Sequence, residues 1–139
     1  GKLAGILLES QGDGRGGLSH LIVGIGVNLA TAPEAATLEP GALRPVSLRA
    51  ETGIAIAPEP FLGLLAPAFD RFDRQISAYG FAPIRAAFLQ GAARLGQPIT
   101  ARLPAETLTG TFRDIDETGN LVLETRAARR TIAAAEIFF

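Results

Sequence analysis

The chain opens with two apolar segments separated by a glycine-rich turn, one tipped by a lysine and the other carrying glycines in its body. Residues 2–9, Lys-Leu-Ala-Gly-Ile-Leu-Leu-Glu, read as a strand apolar on both faces, hence central or covered on both sides. Ser10 to Gly17 contains four glycines and reads as a turn; residues 19–28, rich in Leu, Ile and Val, read as a second strand. The natural arrangement is an antiparallel hairpin. With Glu9 roughly opposite Ser19, Lys2 falls roughly opposite Gly26, at the open end near Asn28. A charge leading into a buried strand is costly, and strand glycines forfeit packing. Such a pair has a backbone or a ligand to accommodate.

Each residue of that pair has a plain reading and a chemical one. Lys2 is either an exposed charge at a chain end or a compact cation offered to a carboxylate or phosphate. Gly24 and Gly26 alternate with Ile25 and Val27, so both face one side and leave a patch without side chains. Either a flat ligand or a packed helix would use that space. Asn28 is a turn former or a polar ligand for phosphate or sugar. The run from Gly12 to Gly17 invites a phosphate-loop reading, but it lacks the Gly-Lys-Ser/Thr ending and no clear helix follows, so it reads as a hairpin tip. His20 has no serine–carboxylate or metal-ligand companions and reads as a strand or surface residue. Asp114 and Asp116 read as shaping a turn, with acid–base work as the alternative.

Residues 29–46 hold three prolines and no sustained period, a loop of eighteen residues, longer than connections inside compact domains usually are. A short helix is predicted over Ser47–Thr52, capped by Ser47 and stopped by Gly53. Pro58 to Tyr79 is the strongest helix, with Phe61, Leu65, Ala68, Phe72, Ile76 and Tyr79 on one stripe and Pro67 as an expected kink. Another helix is predicted over about residues 82–93, with Ile84, Ala87 and Phe88 facing inward. Short strands follow at Ile99–Leu103, Leu108–Asp114, Asn120–Glu124 and Arg129–Ala133. Those last 45 residues predict a small SH3-like barrel that docks on the helical part for stability.

Composition narrows the function classes. Hydrophobic residues make up 47% and charged residues 19%, the balance of a soluble globular protein. A net charge of −1 and a single adjacent basic pair, Arg129-Arg130, argue against nucleic acid as a partner of this portion. With no cysteine, disulfides, zinc–thiolate sites and cysteine nucleophiles are excluded, which fits a reducing, cytoplasmic setting. The longest apolar stretch, Leu18 to Ala30, is too short to span a bilayer. With no initiator methionine and core-like first residues, the chain reads as the later part of a longer protein.

Taken together, these motifs resemble the C-terminal portion of the biotin protein ligases, the biotin–[acetyl-CoA-carboxylase] ligase type. Lys2-Leu3-Ala4-Gly5-Ile6-Leu7-Leu8-Glu9 is similar to the family's Lys-x-x-Gly-Ile-Leu-x-Glu strand, and Val23-Gly24-Ile25-Gly26-Val27-Asn28 to its Gly-x-Gly-x-Asn strand. Ser47-Leu48-Arg49 and Glu51-Thr52-Gly53 resemble the helix after the nucleotide-side loop, and the tail through Ile137-Phe138 resembles the terminal barrel. The resemblance implies an α+β fold: residues 1–94 as the later part of a ligase catalytic domain with a mixed sheet and helices, and 95–139 as an SH3-like barrel. It implies biotin and ATP as substrates, with Mg2+, and a biotin carboxyl carrier protein of a carboxylase as partner. Lys2 matches the essential lysine; Gly5, Gly24 and Gly26 match positions lining the biotin and adenylate pocket; Asn28 matches the nucleotide-side asparagine. No metal ligand is implied among these residues, and no membrane. The family's arginine–glycine segment is not in this sequence, so this portion alone is expected to be inactive. A lipoate or octanoate ligase, or a non-catalytic module descended from a ligase, are the competing expectations.

Overall fold

In the computed structural model, which describes residues 1–12, 14–15, 17–34 and 43–138, the opening segments pair as an antiparallel hairpin. Strand β1 runs Ala4–Gly12 and β2 Leu18–Val27. The strands reach further into the glycine-rich run than expected, because glycine weakens a strand without forbidding its extended backbone. This corrects the register. Glu9 faces Ile22, not Ser19, and Gly26 pairs with Gly5, while Lys2 lies beyond the ladder. The expected cover on both faces is also missing: Ile6, Leu7 and Leu8 are each at least 60% exposed. Asp13 and Gly16 of the expected tip, and residues 35–42 of the expected loop, lie outside the described residues.

Helix α1, Leu48–Thr52, begins and ends where predicted. The Ser47 hydroxyl accepts the Ala50 N–H at 3.2 Å, and Gly53, at φ 77°, closes the helix by donating its N–H to the Arg49 carbonyl. That left-handed conformation is one that only glycine adopts cheaply. Helix α2, Pro58–Tyr79, runs through Pro67 as one element rather than restarting there. The missing N–H of Pro67 leaves the Gly63 carbonyl without its intrahelical donor. None of its residues is buried, and Phe72, Ile76 and Tyr79 of its apolar stripe are exposed.

The chain forms two compact units, Gly1–Leu62 and Gly63–Phe139. The second contains helix α3, Ala82–Gly91, and strands β3 Pro98–Arg102, β4 Thr107–Ile115, β5 Leu121–Glu124, β6 Arg129–Ile132 and β7 Glu136–Phe138. The last of these strands was not predicted. All pair antiparallel in the order β6-β5-β4-β3-β7. Among the described residues the ladder does not close between β6 and β7, which lie at the two edges of a five-stranded sheet. Its core is Ile99, Ala101, Phe112, Leu123 and Ile132, with Leu89 and Ala92 packed against them.

The expected inward face of α3 shifts by one position. Phe88 and Ala87 are exposed, and the face that meets the sheet is Arg85, Leu89 and Ala92, at i, i+4 and i+7. Arg85 decides this rotation: its Nε donates to the Ile115 carbonyl and its Nη2 pairs with Asp114 Oδ2 at 2.5 Å. Among the described residues, no helix is long and apolar enough to cross a membrane.

Candidate functional site

Alternation along the hairpin fixes which side chains share a face. Gly5, Leu7, Ile22, Gly24 and Gly26 lie on one side, Ala4, Ile6, Val23, Ile25 and Val27 on the other. Gly5 is paired directly with Gly26, and Leu7 with Gly24. Three glycines therefore leave one end of this face bare. A Cβ at Gly26 would meet nothing within 4 Å, and one at Gly24 would come no nearer than 3.6 Å to the Leu7 carbonyl oxygen. Among the described residues the space is open, with no helix packed on it.

Lys2 stands at one end of that patch. A Cβ built on Gly5 would stand 4.0 Å from Lys2 Cε, so the lysine side chain reaches the Gly5 end of that face even though its backbone has left the ladder. The backbone is held by a different partner. The Lys2 N–H donates to the Arg44 carbonyl at 2.8 Å, and the Lys2 carbonyl accepts the Val46 N–H at 3.1 Å, a parallel bridge around Pro45. Lys2 is also the sole lysine of the chain; the other twelve of its thirteen cationic residues are arginines. A lysine offers a compact ammonium with three freely directed donors, where arginine offers a rigid fork.

Asn28 takes a role the sequence did not reveal. Its Nδ2 donates to the Val46 carbonyl at 3.0 Å and lies 3.4 Å from the Lys2 carbonyl. Its N–H donates to the Leu3 carbonyl at 3.0 Å, and its carbonyl accepts the Leu48 N–H at 2.8 Å. The residue staples three segments: the lead into β1, the end of β2, and residues 45–48. Ser47, buried at 3%, adds a fourth tie by donating to the Ala30 carbonyl at 3.2 Å. In the sequence, residues 44–46 are only the end of a loop; their place beside Lys2 follows from long-range pairing, which leaves no periodic trace.

The remaining candidates are structural. His20 pairs with Gln11 in the hairpin. Asp114 is the partner of Arg85. Asp116 holds a turn: its carboxylate accepts the Asn120 N–H at 2.9 Å and the Thr118 hydroxyl at 2.8 Å, and these bonds hold its pKa down at about 2. A cavity of about 700 Å³ beside the sheet is lined by Phe88, Ile99, Phe112 and other apolar residues, with no titratable group to do chemistry. Among the described residues, no three His, Cys, Asp or Glu side chains gather to hold a metal ion.

Comparison with known proteins finds similarity along the whole chain. Residues 95–139 match the family model "Biotin protein ligase C terminal domain". Across all 139 residues the chain is 57% identical to the biotin–[acetyl-CoA-carboxylase] ligase of Paracoccus denitrificans. The chain is similar over its whole length to a biotin protein ligase. It spans 58% of the length of that relative. Among solved structures, the apo biotin protein ligase of Aquifex aeolicus matches with a TM-score of 0.78 at 18% identity, over 97% of this chain and 57% of that one. The same ligase in complex with biotin and ATP matches at 0.72 and 19%, over 97% and 54%. At such identities the structural likeness concerns the fold alone: a mixed helix-and-sheet arrangement shared with the ligases.

Proposed function

We propose that this chain supplies one wall of the biotinyl-adenylate site of an ATP-dependent biotin protein ligase. The observation that carries the reading is the Lys2 side chain beside Gly5, at one end of the bare face that Gly5 shares with Gly24 and Gly26. In the first step a carboxylate oxygen of biotin attacks the α-phosphorus of ATP, an O–P bond forms, and the bond to the pyrophosphate leaving group breaks. In the second, the neutral ε-amine of a carrier-protein lysine attacks the acyl carbon of biotinyl-AMP, an amide forms as the nitrogen gives up a proton to solvent, and AMP departs with the C–O bond's electron pair. Neither step needs a covalent enzyme intermediate, so positioning and charge neutralisation carry the catalysis.

Lys2 is the catalytic residue in this account. Its ammonium faces the biotin carboxylate and the α-phosphate, where negative charge concentrates as the two anions are brought together. The glycine face lets the planar part of the ligand lie against backbone, and Asn28 stands on the nucleotide side while its amide holds Val46. Mg2+ would arrive with the ATP phosphates, which suit its oxygen coordination; the described residues offer it no cluster of their own. The partner is the carrier domain of a biotin-dependent carboxylase, and the ATP requirement fits a cytoplasmic location. The five-stranded sheet is read as the SH3-like module of the family, with the domain boundary at residues 94/95. The exposed apolar faces of the hairpin are then covered by the part of the ligase that this chain does not contain. In the full-length ligase, Lys2→Ala should abolish pyrophosphate release from biotin and ATP while leaving the melting temperature unchanged. Near-normal release would remove Lys2 from the mechanism.

A further inference from the structure

Gly1 sits in a notch that admits no side chain. A Cβ built there would overlap Val46 Cγ1 and stand 2.8 Å from the Arg44 carbonyl oxygen and 3.1 Å from Val46 Cγ2. Both neighbours are held in place. The Arg44 carbonyl is the acceptor for the Lys2 N–H at 2.8 Å. Val46 is only 6% exposed, its N–H is on the Lys2 carbonyl, and its own carbonyl is held by Asn28. Buried Ser47 follows, tied to Ala30 and to the start of α1. A methyl group at position 1 would thus push residues 44–46 away from the one backbone bridge that fixes Lys2. By contrast, a Cβ at Gly63 in α2 would meet nothing within 4 Å.

We propose that Gly1 is a positioning residue for Lys2: its missing side chain lets residues 44–46 close on Lys2, and this closure sets the lysine side chain at the Gly5 end of the glycine face. The contacts concern this chain's own packing, while the catalytic consequence rests on the ligase reading above. A displacement of about 1 Å at a reacting group costs on the order of 100-fold in rate, and the overlap at Gly1 calls for a shift of that order.

The test is a pair of substitutions in the full-length protein, followed by two independent readouts. In Gly1→Ala, hydrogen exchange at the Lys2 and Val46 amides should rise by about tenfold or more, the response of a locally opened bridge. The turnover of adenylate formation should fall about 10- to 100-fold, with the melting temperature within a few degrees of wild type. Trimming the opposing side chain, in Gly1→Ala/Val46→Ala, removes the overlap with Val46 Cγ1 and should recover part of both exchange protection and turnover. A purely global destabilisation would not be relieved by a second truncation in the core. Gly63→Ala serves as the control and should leave both readouts unchanged. Wild-type exchange in Gly1→Ala would overturn the notch. Altered exchange with unaltered turnover would overturn the positioning role. If the exchange pattern holds but the wild-type protein makes no adenylate from biotin and ATP, the notch stands and the ligase reading fails.

Discussion

Replacing Asn28 by aspartate should damage the site more than replacing it by alanine, and should do so in a pH-dependent way. Asn28 Nδ2 faces two carbonyl oxygens, Val46 at 3.0 Å and Lys2 at 3.4 Å. Only a donor satisfies that position. Asn28→Ala deletes one good, partly buried hydrogen bond and one long one, a loss of about 1.5 kcal/mol. Asn28→Asp keeps the shape but turns an acceptor oxygen toward both carbonyls, adding about 2 kcal/mol more at neutral pH. The carboxyl can relieve this by binding a proton and donating it to Val46. Its folded-state pKa should therefore rise above the ordinary carboxylate value. The folded state then holds its proton to higher pH than the unfolded state, so stability falls as pH rises above about 4 and recovers as pH falls. Hydrogen exchange at Val46 and Leu48, corrected for intrinsic pH dependence, reads the local opening directly. At pH 7 the alanine variant should open about 10-fold more often than wild type, and the aspartate variant more than 100-fold, with the gap closing near pH 4. Equal protection in Asn28→Asp and wild type at pH 7 would refute the staple.

Three further outcomes follow from the second unit. Gly110→Ala would place a Cβ 2.5 Å from the Glu124 carbonyl oxygen and 2.9 Å from Cγ of fully buried Leu123, prying β4 from β5; denaturant unfolding should show a loss of about 2–3 kcal/mol. Arg85→Leu removes the clamp on the Ile115 carbonyl and on Asp114, and should raise amide exchange along α3 about 10-fold while the sheet amides stay protected. The depressed pKa of Asp116, set first by the Asn120 N–H and then by the Thr118 hydroxyl, contributes stability that is fully present above about pH 4 and lost as pH falls toward 2. Asp116→Asn should flatten that acid limb of the unfolding curve.

How much of this was legible follows from the range of the interactions involved. Helix α2 matched its predicted bounds because Pro58 and the spaced Phe61, Leu65 and Ala68 are local signals, and α1 because Ser47 and Gly53 are caps. The hairpin was legible as a pair, but its register was not: the glycine run looks like turn in sequence, and only pairing shows Gly12 opposite Leu18. The inward face of α3 was misplaced by one residue because Arg85, a charged side chain, does the anchoring that periodicity assigns to apolar ones. Strand β7 escaped notice at three residues, where its pairing with β3 is its main signal. At the site, Gly24 and Gly26 sharing a face was readable from alternation alone. The bridge from Lys2 to residues 44–46 spans more than forty residues of sequence and had no local mark.

The most direct test of the glycine face is to fill it without disturbing the fold. A Cβ at Gly26 would meet nothing within 4 Å among the described residues, and its strand position favours a β-branched residue. In the full-length protein, Gly26→Val should therefore keep or raise the melting temperature. If biotinyl-adenylate lies on this face beside Lys2, the same substitution should depress adenylate formation by about 100-fold or more, since the valine would occupy the ligand's own space. A Gly26→Val protein that forms adenylate at the wild-type rate would contradict the account, because the open patch would then be something other than the seat of the ligand.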